Sequence, residues 1–482
     1  MHIVFAASEC KPWARTGGLA DVVGSLPPVL VRMGHRVTTF LPYYRSVARD
    51  LPDLPVTVPS ITIPFPTYQR FVRVLDGSVH AGVQVYFLDC PEMFDRESFY
   101  ATPGGDYPDN WERFGLFSRA VIEASKVLGV PDVFHAHDWH TSLIPVYLRS
   151  LYYFDPVLRK VPCVLTIHNA GYQGRFPAGI MPRLLLPWEM YTPSKMEAYG
   201  EVNLLKGGII YADALTTVSR QYATEIQTPE FGAGLEDPLR SRSEDLQGIL
   251  NGVDYTEWDP ARDSLIAAHY SPDNLAGKRE CRRDLLHAFD LDSVGDDTAV
   301  LGMVSRFATQ KGFDLLASII NDLVQEDVVL IACGTGEEYY ERLLTEIAGR
   351  FPDKVRVAIR YDDLIGHKVE AGSDLFLMPS RYEPGGLNQL YSLRYGTVPV
   401  VRSTGGLEDS VQDLPDCQGN GYKFQGYEPS DFMAAIRRAL ADFRQKDCWQ
   451  AMMKRGMIQD FSWDQPAAEY LAVYRRVIER RA

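Results

Sequence analysis

Short apolar runs alternate with stretches of helical periodicity along most of the chain, and they form two series. The first series has strand candidates at His2 to Ala6, Arg36 to Leu41, Val83 to Leu88, Asp132 to His135, Cys163 to Ile167 and Ala214 to Val218. The second has Ala299 to Val304, Val328 to Cys333, Lys354 to Ile359, Asp374 to Met378 and Val398 to Val401. Because helical stretches separate these runs, the pattern predicts βαβ crossovers and mainly parallel sheets.

The two series predict an α/β protein with two doubly wound, Rossmann-like domains. Turn-forming residues after Asn251 end the first series, so we place the first domain at residues 1–250 and the second at 251–455. The proline-rich stretch Leu51 to Val74 predicts an inserted irregular or β segment. Open α/β sheets bind ligands at the carboxyl ends of their strands, so we expect a shared substrate in a central cleft that the two domains face.

The chain is nearly all helical from Asp431 onward, and we expect the segment 456–482 to cross back to the first domain. Its last helix has an apolar face composed of Tyr470, Val473, Tyr474, Val477 and Ile478. The arginines of the same segment are expected on the solvated face, and they are Arg475, Arg476, Arg480 and Arg481.

Composition is that of an ordinary folded protein, with 46% hydrophobic and 23% charged residues in 482. The net charge of -14 and a pI near 5.3 make a broad basic surface improbable. Nucleic acid and anionic membrane are therefore not expected as partners, whereas a neutral polymer is acceptable.

The seven cysteines are odd in number and scattered, without a CxxC pair. This usage fits a reducing compartment and not a disulfide framework, and each cysteine is expected to be a small buried apolar residue. The chain has no run of 18 apolar residues, and Met1-His-Ile-Val-Phe begins directly in a strand pattern. We expect a cytoplasmic protein, or one of the plastid stroma if this is a processed plant form.

The stretch from Asp374 to Tyr391 is predicted to form a strand, a loop and a helix in succession. Two glycines, Gly385 and Gly386, open the helix, and backbone N–H groups at a helix start favour an anionic ligand. Glu383 directly precedes this candidate anion site. A carboxylate in this place fits a substrate whose sugar hydroxyls and developing positive charge lie between Glu383 and a nucleotide diphosphate. The alternative is a surface glutamate in an ordinary loop.

Two further loops have the same character. Ala14-Arg-Thr-Gly-Gly-Leu-Ala-Asp follows the first strand, and Arg402-Ser-Thr-Gly-Gly-Leu-Glu-Asp is a near copy whose alternative interpretation is a plain βα turn. In Val304-Ser-Arg-Phe-Ala-Thr-Gln-Lys-Gly, Arg306 and Lys311 flank a loop where two fixed cations could neutralise a leaving diphosphate. Surface solvation is the alternative for either cation alone.

Histidines are concentrated in Val133-Phe-His-Ala-His-Asp-Trp-His and in Thr166-Ile-His-Asn. A metal site at His135, His137, Asp138 and His140 is one interpretation, because imidazole and carboxylate groups are metal ligands. The chain turns before His140 and offers no dedicated further partner, so we favour hydrogen-bonding histidines in a cleft and predict no metal.

Seven ordered motifs across nearly the whole chain resemble those of bacterial glycogen synthases and plant starch synthases. They are GGLADVV, HAHDWH, TIHN, ILNGVD, SRFATQKG, SRYEPGGLNQLYSLRYGT and RSTGGLEDSV. The resemblance implies the two-domain glycosyltransferase-B fold. It also implies transfer of glucose from ADP-glucose to the non-reducing end of an α-1,4-glucan with retention of configuration and no cofactor.

The resemblance also implies roles for individual residues. Glu383, Arg306, Lys311, His168 and Asp138 would be catalytic, with Glu383 at the donor glucose, the two cations at the diphosphate and Asp138 near the acceptor or the anomeric centre. Donor contacts would come from Arg15, Gly17, Gly18, Asn169, Asn251, Tyr361, Gly386 and Leu387. Among these, Tyr361 would stack on adenine.

Two positions depart from the family pattern: Arg15 stands where lysine is usual, and Gly385 stands where many members have cysteine. Two other functions remain to be weighed. A glucan-binding protein without catalysis would not need Arg306, Lys311 and Glu383 together. A related retaining enzyme that uses UDP-glucose or another acceptor differs only in specificity, which fold does not determine.

Overall fold

The computed structural model describes residues 1–102, 104–360 and 362–481 of the chain. These residues divide into two compact units. Unit 1 comprises Met1–Gly252 together with the chain from Trp463 onward, and unit 2 comprises Val253–Ser462. Each unit is an α/β structure built on a largely parallel sheet, so the predicted fold class of two α/β domains is confirmed.

The strands of the described residues follow in chain order. They are β1 (His2–Ala6), β2 (Arg36–Pro42), β3 (Val56–Pro64), β4 (Gln69–His80), β5 (Val83–Asp89), β6 (Ala101–Thr102), β7 (Gly105–Asp106), β8 (Val133–His137), β9 (Cys163–Ile167), β10 (Arg175–Pro177), β11 (Glu197–Ala198), β12 (Glu201–Asn203), β13 (Ala214–Thr217), β14 (Leu246–Gly248), β15 (Ala299–Val304), β16 (Val328–Gly334), β17 (Val355–Ile359), β18 (Leu375–Met378), β19 (Val398–Arg402) and β20 (Tyr422–Phe424).

The helices of the same residues are α1 (Gly18–Arg32), α2 (Arg45–Asp50), α3 (Pro91–Phe94), α4 (Asn110–Leu128), α5 (Asp138–Thr141), α6 (Leu143–Leu148), α7 (Ile180–Arg183), α8 (Leu204–Tyr211), α9 (Arg220–Glu225), α10 (Glu236–Ser241), α11 (Ala276–Ala288), α12 (Phe313–Leu323), α13 (Glu338–Arg350), α14 (Asp363–Gly372), α15 (Asn388–Arg394), α16 (Gly405–Ser410), α17 (Pro429–Phe443), α18 (Lys446–Ile458) and α19 (Asp464–Arg481). Short 3-10 turns lie at Leu158–Lys160, Trp188–Met190 and Thr309–Lys311.

The large sheet of unit 1 has the order β14-β13-β9-β8-β1-β2-β5-β4-β3 among the described residues. Its strands from β14 to β5 are parallel, while β4 and β3 extend it as an antiparallel edge. The predicted inserted segment is therefore a β hairpin at the sheet edge, where prolines are tolerated. The central strands β8 and β9 are buried along their whole length, so the polar side chains that they carry, His135, His137 and Thr166, are buried as well.

Helix α19 packs into the core of unit 1. Tyr470, Val473, Tyr474 and Val477 are fully buried there, so the predicted apolar face is confirmed. The terminal arginines lie on the solvated side as expected, since Arg475, Arg480 and Arg481 are exposed and Arg476 is partly buried. Arg480 and Arg481 in addition form ion pairs with carboxylates of unit 1. The carboxylates that pair with them belong to other parts of the chain, which the helical pattern alone does not reveal.

The sheet of unit 2 has the order β17-β16-β15-β18-β19-β20 and is parallel throughout the described strands. Helices cover both faces, and separate apolar clusters fill the two sides. Strand β15 pairs directly with β18, so the loops that follow these two strands are neighbours at the carboxyl edge of the sheet. The short strands β14 and β20 lie outside the predicted set because three residues carry too little apolar pattern.

The cysteine prediction is wrong at one pair. Cys417, in the loop before β20, and Cys448, in α18, form a disulfide with their Cα atoms 5.8 Å apart. They are 31 residues apart in sequence, and only the packing of the loop on α18 brings them together. The other cysteines, Cys10, Cys90, Cys163, Cys281 and Cys333, are free and buried, as expected.

Candidate active site

The carboxylate of Glu383 lies at the carboxyl edge of the sheet in unit 2, in the loop that joins β18 to α15. The residue is only 5% exposed. Its Oε2 atom accepts a hydrogen bond from Lys311 Nζ at 2.6 Å and another from Ser380 Oγ at 2.9 Å. A nearly buried carboxylate is thus held by an opposite charge and a hydroxyl, in a defined orientation.

Lys311 reaches Glu383 because its own loop packs tightly on the Glu383 loop. Gly312 has a φ of 77°, and a Cβ atom there would lie 1.9 Å from the carbonyl oxygen of Pro379. Only glycine permits this backbone and this approach. Asn388, the first residue of α15, donates to the carbonyl oxygen of Val304 at 2.5 Å. The two loops therefore form one unit.

The second glycine pair of the sequence supports the Glu383 loop from the other side. A Cβ atom on Gly405 would lie 2.0 Å from the carbonyl oxygen of Glu383, and one on Gly406 would lie 1.7 Å from that of Gly385. The backbone N–H of Gly406 also donates to the carbonyl oxygens of Glu383 and Pro384. The pair is thus a packing surface for the Glu383 loop and more than the plain βα turn that was the alternative.

The remaining residues predicted in unit 2 lie at the same edge. Arg306 follows β15 and is exposed, and Gly386, with a φ of 59°, and Leu387 directly precede α15. Tyr361 lies outside the described residues. The structure therefore brings Arg306, Lys311, Glu383 and the start of α15 together around the ends of two paired strands.

In unit 1 the predicted residues gather around Asp138, which directly follows β8. Its φ of 56° is in the left-handed region, which is strained for a residue other than glycine and often marks a functional site. Its Oδ1 atom accepts the backbone N–H of His168 at 2.7 Å. Burial raises the pKa of the Asp138 carboxyl to about 7, and the nearby Glu9 carboxyl adds to this rise.

His135, His137 and His168 in unit 1 are neutral rings with protein partners. Burial lowers the pKa of His168 to about 3 and holds those of His135 and His137 well below the usual value. His135 uses both ring nitrogens, one with the Thr166 hydroxyl at 2.6 Å and one with the Tyr474 hydroxyl at 2.7 Å. His137 and His168 face each other, with Nδ1 of the first 3.0 Å from Nε2 of the second.

In the first glycine pair, Gly17 directly precedes α1 and Gly18 is the first residue of that helix, and both are exposed. Arg15 and Lys11 extend to the same carboxylate oxygen of Asp21, at 3.4 and 3.1 Å. The loop therefore presents a glycine backbone beside two cations and one acidic side chain.

The sequence reasoning missed Glu9, which holds this loop in place. Its carboxylate is 4% exposed and accepts hydrogen bonds from the Thr16 backbone N–H, the Thr16 hydroxyl, the Gly17 N–H and the Tyr100 hydroxyl. The available signal was an acidic residue in the loop between an apolar strand and the glycine motif. Buried carboxylates need such partners.

Asn251 and Asn169 complete the predicted set in unit 1. The Asn251 side-chain oxygen is buried and has no hydrogen-bond partner in the described part of the chain, so it can accept from a ligand. Asn169 follows β9, and its side-chain oxygen accepts from the Gly171 N–H at 2.9 Å. Strands β9, β8 and β1 are adjacent, so Asn169, Asp138 and the Gly17 loop follow neighbouring strand ends.

Two α/β units, each built on a largely parallel sheet with polar residues at the carboxyl ends of its strands, define the class of glycosyltransferases with the GT-B fold. The structure matches that of the "Catalytic domain of Starch Synthase IV from Arabidopsis thaliana bound to ADP and acarbose" with a TM-score of 0.91, 32% identity and 99% coverage of both chains. It shares the fold alone with a sucrose-phosphate synthase from Thermosynechococcus elongatus, at a TM-score of 0.62 and 16% identity over 99% of both chains.

The family described as "Starch synthase catalytic domain" matches residues 2–241, and "Glycosyl transferases group 1" matches residues 292–452. The chain is 52% identical to a glycogen synthase of Koribacter versatilis, with 100% of this chain and 99% of that protein covered. It is 42% identical to glycogen synthase 1 of Geobacter sulfurreducens, with 100% and 97% covered. The chain belongs to the glycogen synthase and starch synthase family, and the predicted family and enzyme class are confirmed.

No described helix has the length and apolar character needed to span a lipid bilayer.

Proposed function

We propose that this enzyme transfers glucose from ADP-glucose to the non-reducing end of an α-1,4-glucan and retains the anomeric configuration. The observation that carries the proposal is the pairing of Lys311 with the nearly buried Glu383 at the carboxyl edge of the sheet in unit 2, beside Arg306. The related starch synthase, whose structure holds ADP and acarbose, supports the proposal that this enzyme binds a nucleotide and a glucan-like acceptor.

The unit 2 residues supply the donor chemistry. Arg306 and Lys311 neutralise the charge that develops on the leaving ADP, and the backbone amides of Gly386 and Leu387 bind its phosphates. Glu383 stabilises positive charge on the glucose as the glycosidic bond to the diphosphate breaks. Tyr361 is proposed to stack on adenine. The two cations carry the charge that a metal ion carries in other transferases, so we expect no metal requirement.

The unit 1 residues orient the sugar and the acceptor. His168 and Asn169 bind the transferred glucose, Asp138 lies near the acceptor or the anomeric centre, and Asn251 uses its unpaired oxygen for a substrate hydroxyl. Gly17 and Gly18 allow close backbone approach to the donor, and Arg15 binds its diphosphate. The acidic chain fits a neutral glucan partner better than a nucleic acid or a membrane, and we place the enzyme in the cytoplasm.

One assay tests the proposal: incorporation of labelled glucose into glycogen from ADP-glucose and from UDP-glucose, with and without EDTA. We expect ADP-glucose to be preferred and EDTA to have no effect. Equal or faster transfer from UDP-glucose would contradict the donor assignment, and loss of activity in EDTA would contradict the metal-free mechanism.

Two substitutions test the Lys311–Glu383 pair in the same assay. Lys311→Ala should lower kcat by roughly two to three orders of magnitude, since a preorganised charge contributes about 3 to 4 kcal/mol to the transition state. Glu383→Gln keeps the shape of the side chain and loses its charge, so it should lower kcat with little change in the donor KM. A Lys311→Ala enzyme within about fivefold of the original would remove Lys311 from the mechanism.

A further inference from the structure

The ring of His137 lies within hydrogen-bond distance of the His168 ring and is closely packed. Its side chain is fully buried. Its ring stacks on Phe5, with centroids 5.4 Å apart, and packs in a tilted arrangement against His135, with centroids 4.1 Å apart. Its backbone N–H donates to the Thr141 hydroxyl, which donates back to the His137 carbonyl oxygen. These ring contacts and backbone bonds pack the His137 side chain closely on its neighbours.

The contact between the two rings contains one proton. Nδ1 of His137 is 3.0 Å from Nε2 of His168, which is hydrogen-bond distance. Both rings are neutral because burial lowers their pKa values far below the working range. A neutral imidazole has one N–H and one bare nitrogen, so one ring donates and the other accepts.

The second nitrogen of His137 decides which ring donates. Nε2 of His137 is buried and has no hydrogen-bond partner among the described residues. If His137 accepted from His168, its own proton would sit on Nε2 as a buried N–H without an acceptor, and such orphaned donors are rare. If His137 donates from Nδ1, its Nε2 is bare and no donor is stranded. The second arrangement is therefore favoured.

A donating His137 leaves His168 with its proton on Nδ1. His168 is partly exposed, and its backbone is fixed by the bond from its N–H to the Asp138 carboxylate at 2.7 Å. We propose that His137 is a positioning residue that holds His168 in the Nδ1–H form, so that His168 presents only a hydrogen-bond donor to the sugar. The proposal about His137 rests on the proposed function in one respect, because it takes His168 to bind the transferred glucose.

The assignment has a consequence for specificity. A ring nitrogen fixed as a donor needs an oxygen lone pair on the ligand, and a sugar hydroxyl supplies one. A donor sugar that lacks that hydroxyl leaves the N–H of His168 unpaired, which costs more than the loss of a neutral contact. His137 thus contributes to recognition of a hydroxylated hexose without touching it.

The protonation state is measured on the unmodified enzyme without substrate. The full chain is labelled with 15N in the histidine rings, and the His168 signals are identified by their absence from the His168→Gln variant. We expect His168 to show a protonated Nδ1 and a bare Nε2, and His137 to show a protonated Nδ1. A protonated Nε2 on His168 would overturn the proposal, whatever the variants do.

A matched pair of variants tests the consequence for catalysis. Asparagine and leucine have nearly the same shape, and only asparagine offers an N–H donor close to the position of Nδ1 in histidine. His137→Asn should keep the Nδ1–H form of His168 and most of the activity. His137→Leu should yield a mixture of forms and lower kcat/KM about tenfold, the effect of roughly one misplaced hydrogen bond.

Thermal unfolding of both variants separates this effect from general damage, and we expect the two to unfold at similar temperatures. Equal kcat/KM in the Asn and Leu variants would overturn the positioning role. Failure of the proposed function is seen differently, as absence of glucosyl transfer by the unmodified enzyme, and it leaves the 15N result unaffected.

Discussion

The two glycine pairs of this protein have nearly the same sequence and opposite surroundings. In unit 2, Gly405 and Gly406 are buried, and Cβ atoms there would collide with carbonyl oxygens of the Glu383 loop at 2.0 and 1.7 Å. In unit 1, Gly17 is exposed, its φ of -166° suits any residue, and no described atom lies within 4 Å of where its Cβ would be. The protein itself requires glycine in unit 2 but not at Gly17.

The difference assigns the pairs to different tasks. Gly405 and Gly406 bring α16 into contact with the loop that carries Glu383, so they serve the carboxylate indirectly. Gly17 leaves open space after the end of a strand, where open α/β sheets bind ligands, and we propose that a ligand approaches its backbone closely there. One motif is thus a packing device in one unit and a candidate binding surface in the other.

The largest effect is expected from Gly406→Ala. The new methyl group would push the Glu383 loop away from α16, which should destabilise unit 2 by about 3 kcal/mol. A shift of the catalytic groups by about 1 Å should also lower kcat about a hundredfold. Denaturant unfolding and transfer kinetics measure the two effects. An enzyme with unchanged kcat would show that the contact between α16 and the Glu383 loop has no catalytic importance.

A smaller effect is expected from Glu9→Gln. The amide keeps the size of the side chain but replaces one acceptor oxygen by an N–H group, which would face the donors of Thr16 and Gly17. We expect a drop in kcat/KM of about 30-fold, the range for hydrogen bonds to a charged group. Steady-state kinetics with ADP-glucose measures it. Retained kcat/KM in Glu9→Gln would mean that the Gly17 loop holds its shape without this carboxylate.

Gly17→Ala is the matched control for Gly406→Ala. With open space around the new methyl group, the free energy of unfolding should change by less than about 1 kcal/mol. The KM for ADP-glucose should rise about tenfold, because the methyl group meets the ligand and not the protein. The comparison between the pairs fails if Gly17→Ala loses stability as Gly406→Ala does, or if its KM is unaltered.

The smallest effect is expected from Arg15→Lys. The lysine restores the residue that is usual in the family and should keep activity within about threefold, the scale of a partly exposed ion pair. Arg15→Ala should raise the ADP-glucose KM and lower kcat, since the cation is lost. The measurement is of kcat and the ADP-glucose KM for the two variants and the original enzyme under the same conditions. Arg15 is a bystander if the alanine variant matches the original in both parameters.

Much of the fold could be predicted from pattern alone. The strands β1, β9 and β15 begin and end where their apolar runs do, because strands buried on both faces leave a continuous signal. Strands β14 and β20 have three residues each, and their pairing depends on neighbours that are distant in sequence. For the region of β3 and β4 the sequence predicted only an irregular or β segment, and the antiparallel pairing of the two strands could not be predicted.

For the candidate site, the sequence predicted which residues belong to it but not their contacts or their burial. The motifs indicate which residues to consider, such as Glu383, Lys311 and Asp138. The direct bond between Lys311 and Glu383, the raised pKa of Asp138 and the burial of His137 depend on which groups become neighbours. Glu9 went unrecognised because an acidic residue beside a strand is common, and only its four donors give it importance. The Cys417–Cys448 contact has the same origin.

By itself the sequence determined the α/β class, the succession of strands and helices, and the family, since these follow from local periodicity and ordered motifs. Tertiary structure alone decided which of the two similar glycine pairs packs against another loop and which has open space beside it. It also decided which carboxylate takes a lysine partner and which ring nitrogen of His137 has none. Those properties arise from distances between atoms far apart in the chain, and burial then sets their charge and hydrogen-bonding state.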